Sequence, residues 1–437
     1  MLFTPWLRSL KFPARLTRTA RRRKRRFSPL FAIERLEDRT LLSVFAVNSV
    51  LDKVDLIPGD GIVDTGTPGE ITLRAAIQEA NALAGDDTIT LGAGTFTLSI
   101  TGTGEDAAAT GDLDITDTTG SLTIIGAGAD RTIIDAAGLD RVFEVFGAAT
   151  LDLHDVTISG GKISPILATG LGGGIHNNKG GTVTIANSTL SGNRATFGGA
   201  IRNFGRMTIT NSTLSGNNGT TGGAILNTGG STLTITNSTL SGNSANEAGA
   251  IINAGALTLI NSTLSANFAG FKGSAILSQS GTLTLENTII SGNRGAPDVW
   301  GNFNSLGYNI IGDVGSATGF MHGVNGDLVG GGGNPVIDAL LGPLQDNGGT
   351  TFTHALLAGS PAIDAGNNSG VPATDQRGFP RIIDGDLDGT ATIDIGAFEF
   401  VPPVTLVQID IKPGSDPNSI NLGSKGTIPV AIFSTPT

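Results

Sequence analysis

Apolar and polar positions alternate along the middle of this chain, and the alternating blocks themselves recur. Five copies of one phrase, Asn187-Ser-Thr-Leu-Ser-Gly-Asn193, Asn211 to Asn217, Asn237 to Asn243, Asn261 to Asn267 and Asn287-Thr-Ile-Ile-Ser-Gly-Asn293, follow one another at intervals of 24, 26, 24 and 26 residues. Ahead of each copy stand two apolar residues separated by one polar one: Val183 and Ile185, Met207 and Ile209, Leu233 and Ile235, Leu257 and Leu259, Leu283 and Leu285. Thr184, Thr208, Thr234, Thr258 and Thr284 lie between them. A period of two is the signature of a strand with one face buried.

Two further apolar columns complete the unit. Leu190, Leu214, Leu240, Leu264 and Ile290 form one, and Ile175, Ile201, Ile225, Ile251 and Ile276 form the other, mostly inside Gly-Gly-Ala-Ile-like phrases. Each repeat therefore predicts three short strands and no helix. A unit this small cannot bury its apolar side alone, so copies must stack around a shared core. The expected fold is all-β: a right-handed parallel β-helix, with like residues about 4.8 Å apart in successive coils.

The Asn columns fit the corners of such coils. They are Asn187, Asn211, Asn237, Asn261 and Asn287; Asn193, Asn217, Asn243, Asn267 and Asn293; and Asn177, Asn203, Asn227 and Asn253, with Ser278 next in line. Asn tolerates turn backbone, and its amide bonds both neighbouring amides and buried main chain, so the columns predict inward structural ladders.

The remaining chain divides by pattern into a segment at 1–43, first coils at 44–150, repeats at 151–330, irregular sequence at 331–400 and a further β unit at 404–437 that stops short, as in a shortened chain. Within 44–150, Leu73, Ile77, Ala80 and Ala84 share a helical face, with Thr72 placed to cap the first turn and Gly85 the last, so a short helix is expected to close the open end of the stack.

Charge changes the picture at one end. Residues 1–43 hold 12 Lys or Arg against 3 acids, whereas the remainder holds 15 against 35. An acidic body repels phosphate, so nucleic acid is not the expected partner. The chain has no cysteine, which excludes disulfides and thiolate chemistry. No stretch approaches the roughly 18 apolar residues of a membrane-spanning helix.

Four phrases resemble known families. Leu36-Glu-Asp-Arg-Thr-Leu-Leu-Ser43 is similar to the LEPR-XLL motif of large bacterial surface and exported proteins, which implies export to the cell surface or beyond. Ile71-Thr-Leu-Arg-Ala-Ala76 resembles the CSLREA domain. Gly198-Gly-Ala-Ile201 and Gly222-Gly-Ala-Ile225, paired with Leu-x-x-Asn phrases such as Leu190 to Asn193, resemble polymorphic outer-membrane protein repeats, with Leu in place of Phe; that resemblance implies an adhesive surface β-helix. Leu341 to Gly349, Ser360 to Gly366, Thr374 to Gly378 and Asp394 to Glu399 together resemble the choice-of-anchor Q domain of bacterial surface proteins.

Catalytic chemistry is not expected. Enzymes that cleave polysaccharides need clustered carboxylates, and between Gly172 and Asn293 the only acids are Glu247 and Glu286. Arg194, Arg202, Arg206, Arg294 and His176 are expected on an outward face. The reading is a structural or adhesive surface protein whose partner is an extracellular polysaccharide or cell-surface component, the alternative being a polysaccharide lyase or glycoside hydrolase. Asp384, Asp386 and Asp388, followed by Gly389, resemble a calcium loop lacking its last acid, and are the candidate ligands for a structural Ca²⁺.

Overall fold

The structure is a computed structural model that describes residues 42–163 and 171–403, with the backbone of two further antiparallel strands, Gln408–Asp410 and Ala431–Phe433. The basic segment and most of the LEPR-like phrase, and nearly all of 404–437, lie outside the described residues.

Within each clean repeat the chain visits four parallel sheets in turn. In one coil these strands are Thr182–Ala186 (sheet A), Thr189–Ser191 (sheet B), Arg194–Phe197 (sheet D) and Ile201–Asn203 (sheet C), before Arg206–Thr210 opens the next coil in sheet A. Among the described residues, sheets A and B each hold 10 strands, sheet C 8 and sheet D 5, and the pairings in them are parallel. The register aligns the apolar columns: Val183 opposite Met207, Leu190 opposite Leu214, Ile201 opposite Ile225. All three columns are buried and belong to one continuous core.

The fourth strand departs from the three expected. Its stretches, such as Asn218–Thr221 and Ser244–Glu247, are polar and offer a single small inward position each (Ala195, Gly219, Ala245, Ala269), so they carry almost no period-two signal. They are strands because neighbouring coils hold them in register.

Helix α1 (Leu73–Ala82) buries Leu73, Ala76, Ile77 and Ala80 in the core beside Ser43–Val47 and the first coil. Thr72 caps it, accepting from the Ala75 amide at 3.4 Å; the far end closes at Leu83, whose N–H donates to the Glu79 carbonyl. Arg74 is a buried pin: Nε donates to Asp52 Oδ1 at 2.6 Å, and its other nitrogens reach the carbonyls of Ala108, Gly111 and Asp112 at 2.8–3.0 Å.

The Asn columns differ from one another. In the Asn193 column each Nδ2 donates to the Oδ1 of the next Asn at 2.9–3.1 Å from Asn193 to Asn293, and that same Oδ1 also accepts the preceding Asn backbone N–H. Asn177, Asn203, Asn227 and Asn253 are linked likewise at 2.8–2.9 Å. The Asn187 column is not an inward ladder. Asn187, Asn211, Asn237, Asn261 and Asn287 all have φ of 48–50°, the left-handed corner that Asn tolerates, and among them a single amide pair forms, Asn211 to Asn187 at 3.4 Å. Their backbone turns the chain between sheets A and B, and the side chains of Asn237 and Asn287 bond residues that lie outside the stack.

Residues 337–399 lie outside, returning along the flank of the stack instead of only closing its end. Their hydrogen bonds run to the outward side chains and corners of sheet B: Gln376 to Thr213 and Thr239, Thr351 to the Asn211 carbonyl, His354 to Ser241, Arg381 to Asn237, the Ala397 amide to Thr263, and the Asn367 amide to Asn287. This strap explains why Asn237 and Thr239 are buried while Asn187, which meets no strap bond, is half-buried.

Candidate functional site

The three principal faces of the stack have different fates. Sheet B is covered by the strap from the strand Thr213–Ser215 onward. Sheet C is partly covered by sheet D and the turn after it: its outward column runs in register through Glu144, His176, Arg202, Leu226, Ile252, Leu277 and Trp300, Phe197 lies against Arg202, and Ala248 forms a small apolar cluster with Leu226, Ile252, Leu277 and Trp300. Sheet A meets no such cover among the described residues. Its outward positions are Thr-rich and stacked in register: Thr184, Thr208, Thr234, Thr258 and Thr284 in one column, flanked by Thr182, Arg206, Thr232, Ala256 and Thr282 on one side and Ala186, Thr210, Thr236, Ile260 and Glu286 on the other. Over these five strands at about 4.8 Å this is a flat surface whose charged members are Arg206 and Glu286, and the strand before them adds Asp152 and His154.

The second feature lies where sheet D begins, over the early coils. A cleft of about 510 Å³ is lined in part by Asp106, Asp140, Arg141, Glu144, Lys162 and His176. Glu144 and His176 reach it from sheet C strands Phe143–Val145 and Ile175–Asn177, and Asp114 of Leu113–Ile115 stacks in register with them beside the cleft. Arg141 ties the cluster together. Its Nε stands 2.8 Å from Asp112 Oδ2, and Nη1 pairs with Glu144 and lies 3.1 Å from His176 Nδ1. Asn178 donates to Glu144 at 2.8 Å.

Burial sets the protonation of these groups. Desolvation pushes Asp112 up to about 7 against the pull of Arg141, and pushes Asp114, which has no ion-pair partner among the described residues, up to about 8 with help from the Asp112 charge. Burial also works to raise Glu144, but hydrogen bonding from His176 and the Arg141 charge outweigh it and hold this carboxyl below its usual range. His176 is lowered by burial despite Glu144, so its imidazole favours the neutral form.

Asp112, Asp114 and Glu144 lie ahead of the regular repeats, whose carboxylates are only Glu247 and Glu286. The signal was present as alternation, in Asp112-Leu-Asp-Ile115, Phe143-Glu-Val145, Ile175-His-Asn177 and Ile201-Arg-Asn203. Of the basic residues expected on an outward face, His176 and Arg202 stand side by side in sheet C, with Arg202 stacked over Phe204 at 4.3 Å, whereas Arg206 belongs to sheet A and Arg194 and Arg294 to sheet D.

The acidic loop is assembled differently from its sequence reading. Asp364, Asp384 and Asp386 each bring a carboxylate oxygen within 4.8 Å of the others, while Asp388 is not in that group and accepts from the Thr390 amide at 2.7 Å. Asp364, from the neighbouring turn, stands where Asp388 was expected. Asp384 and Asp386 also accept amides of Gly389 and Asp388, as residues of a tight turn do.

The description "Right handed beta helix region" belongs to the family whose sequence profile matches residues 143–313. The chain folds as a right-handed parallel β-helix. Among solved structures, the crystal structure of pectate lyase Pel9A is similar, with a TM-score of 0.43 and 14% identity over 83% of this chain and 98% of that one. No curated protein matches the sequence.

Proposed function

We propose that this chain is an exported surface module that holds an extended polysaccharide, or a comparable cell-surface polymer, against the outer face of sheet A and does not cleave it. The observation that carries this reading is the bare face itself: the chain covers the later coils of sheet B with a strap and part of sheet C with an outer layer, yet leaves the Thr columns of sheet A open. Ranked hydroxyls on a rigid sheet offer donors and acceptors at a fixed repeat, which suits a polymer of regularly spaced hydroxyls, and rigidity keeps the ordering penalty low. Secretion and surface exposure rest on the LEPR-like phrase and the adhesive-repeat resemblance.

The test is retention of the full chain on immobilised neutral and acidic glycans. At least one is expected to hold the parent and to release a Thr208→Glu, Thr234→Glu double variant at least tenfold more readily. Equal retention of the two, or none by any glycan, would sink the reading. Fractionating cells with an antibody to residues 150–300 checks the location.

A second reading is a polysaccharide-active enzyme, favoured by one observation: acids raised by burial beside Arg141 and His176 in a cleft. Against it, Asp112 is 3% exposed and Glu144 is held by Arg141, His176 and Asn178. New unsaturated or reducing ends, lost in Glu144→Gln, would establish it.

A further inference from the structure

We propose that Asp112, Asp114 and Glu144 form a binding site for a divalent cation of the hard, oxygen-preferring kind, Ca²⁺ before Mg²⁺, which fastens the loop after the first coil to sheet C. One carboxylate oxygen from each of the three lies within 4.8 Å of the other two. That is the span available to ligands on a sphere of radius about 2.4 Å, the Ca²⁺–oxygen distance.

A second observation points to a missing ligand. Asp114 is fully buried, its Oδ2 accepts from the Ala108 amide at 2.8 Å, and its Oδ1 has no hydrogen-bond partner among the described residues. A carboxylate sealed from water without a counter-charge is among the more costly things a fold can hold, and such groups are ordinarily paired or metal-bound. Arg141 does not supply that charge: it is spent on Asp112 and Glu144, and Asp140 also lies 3.7 Å from its Nε. Three carboxylates thus already share a single guanidinium, and Asp114 is not among them.

The surroundings are preformed. Arg74 of the capping helix holds the carbonyls of Ala108, Gly111 and Asp112, which fixes the loop that brings Asp112 over Asp114. The adjoining cleft gives a cation a route in and room for the water ligands that three carboxylates leave to be filled. The acids Asp364, Asp384 and Asp386 are more exposed and serve as the internal comparison.

The experiment uses the full chain after chelator treatment, titrated calorimetrically with Ca²⁺ and with Mg²⁺ and melted with and without each. The parent is expected to bind Ca²⁺ and melt at a higher temperature in its presence. Asp114→Asn, which can still accept the Ala108 amide, should fold and lose that binding component, whereas Asp386→Ala should retain it. Unchanged Ca²⁺ binding in Asp114→Asn overturns the proposal, and so does a parent that binds neither cation, which would leave the acids sharing protons. Should Asp114→Asn fail to fold, Glu144→Gln at the rim reads the same loss.

Discussion

Replacing Asn243 by Ala tests the ladder at its centre. Asn243 is fully buried; its Nδ2 donates to the Leu214 carbonyl at 2.9 Å and to Asn267 Oδ1 at 3.0 Å, and its Oδ1 accepts both the Asn217 backbone N–H and the Asn217 Nδ2 at 3.0 Å. Truncation removes all four bonds, but the consequences are unequal. Asn217 Nδ2 keeps Leu190 as a partner, and Asn267 Oδ1 keeps the Asn243 backbone N–H. The Asn217 backbone N–H loses the acceptor that satisfies it. One stranded buried donor costs about 1–3 kcal/mol, and the void left by the amide adds to it, so a total loss of about 2–4 kcal/mol is expected. Asn261→Gly is the control: Asn261 is also buried, but neither of its side-chain polar atoms has a partner among the described residues, and its φ of 49° suits Gly. Its removal is expected to be near neutral or stabilising. Urea denaturation of the full chain gives the two losses, and amide exchange at Asn217 reads the stranded donor directly. Equal destabilisation by the two substitutions, or unchanged protection at Asn217, would refute the reasoning.

Three further outcomes follow from other contacts. Arg74→Ala leaves Asp52 and three carbonyls without their partner and should cost about 3–5 kcal/mol, seen as early melting of the N-terminal end in hydrogen exchange. Glu399 is raised to about 9 and Asp394 to about 7, both chiefly by burial, so from about pH 4.5 upward the folded strap binds more protons than the unfolded chain; stability should fall as pH rises from 5 to 9, and a urea midpoint that climbs over that range would contradict this. If the acidic loop holds Ca²⁺ through Asp364, Asp384 and Asp386, millimolar calcium should raise the melting temperature by an increment that Asp386→Ala lacks and Asp388→Ala keeps.

The repeat carried the fold in plain view because three inward columns each placed Val, Ile, Leu or Met where a coil needs one. Sheet D was invisible for the opposite reason: residues such as Asn218-Gly-Thr-Thr221 become strand only because the adjacent coils pair with them. The Asn193 and Asn187 columns read alike in sequence, since both put Asn at a corner; backbone sign separates them, and composition does not encode it. The strap has no period to detect, as its order comes from bonds to partners such as Asn237, 144 residues before Arg381. The Asp112, Asp114 and Glu144 set lies in coils whose spacing is irregular, so stacking could not be counted from a repeat, although each residue already stood between two inward apolar neighbours or beside one.

A stack of coils in which each touches only its neighbours should open piecemeal, one layer at a time. The strap changes that, because its bonds reach Asn211 at one point and Asn287 at another, tying together coils several layers apart. No coil in that span can separate from the next without first shedding a tether whose residues are synthesised after it. The middle of the solenoid is therefore expected to open as a single block, and to gain that cooperativity only once the ribosome has passed residue 399.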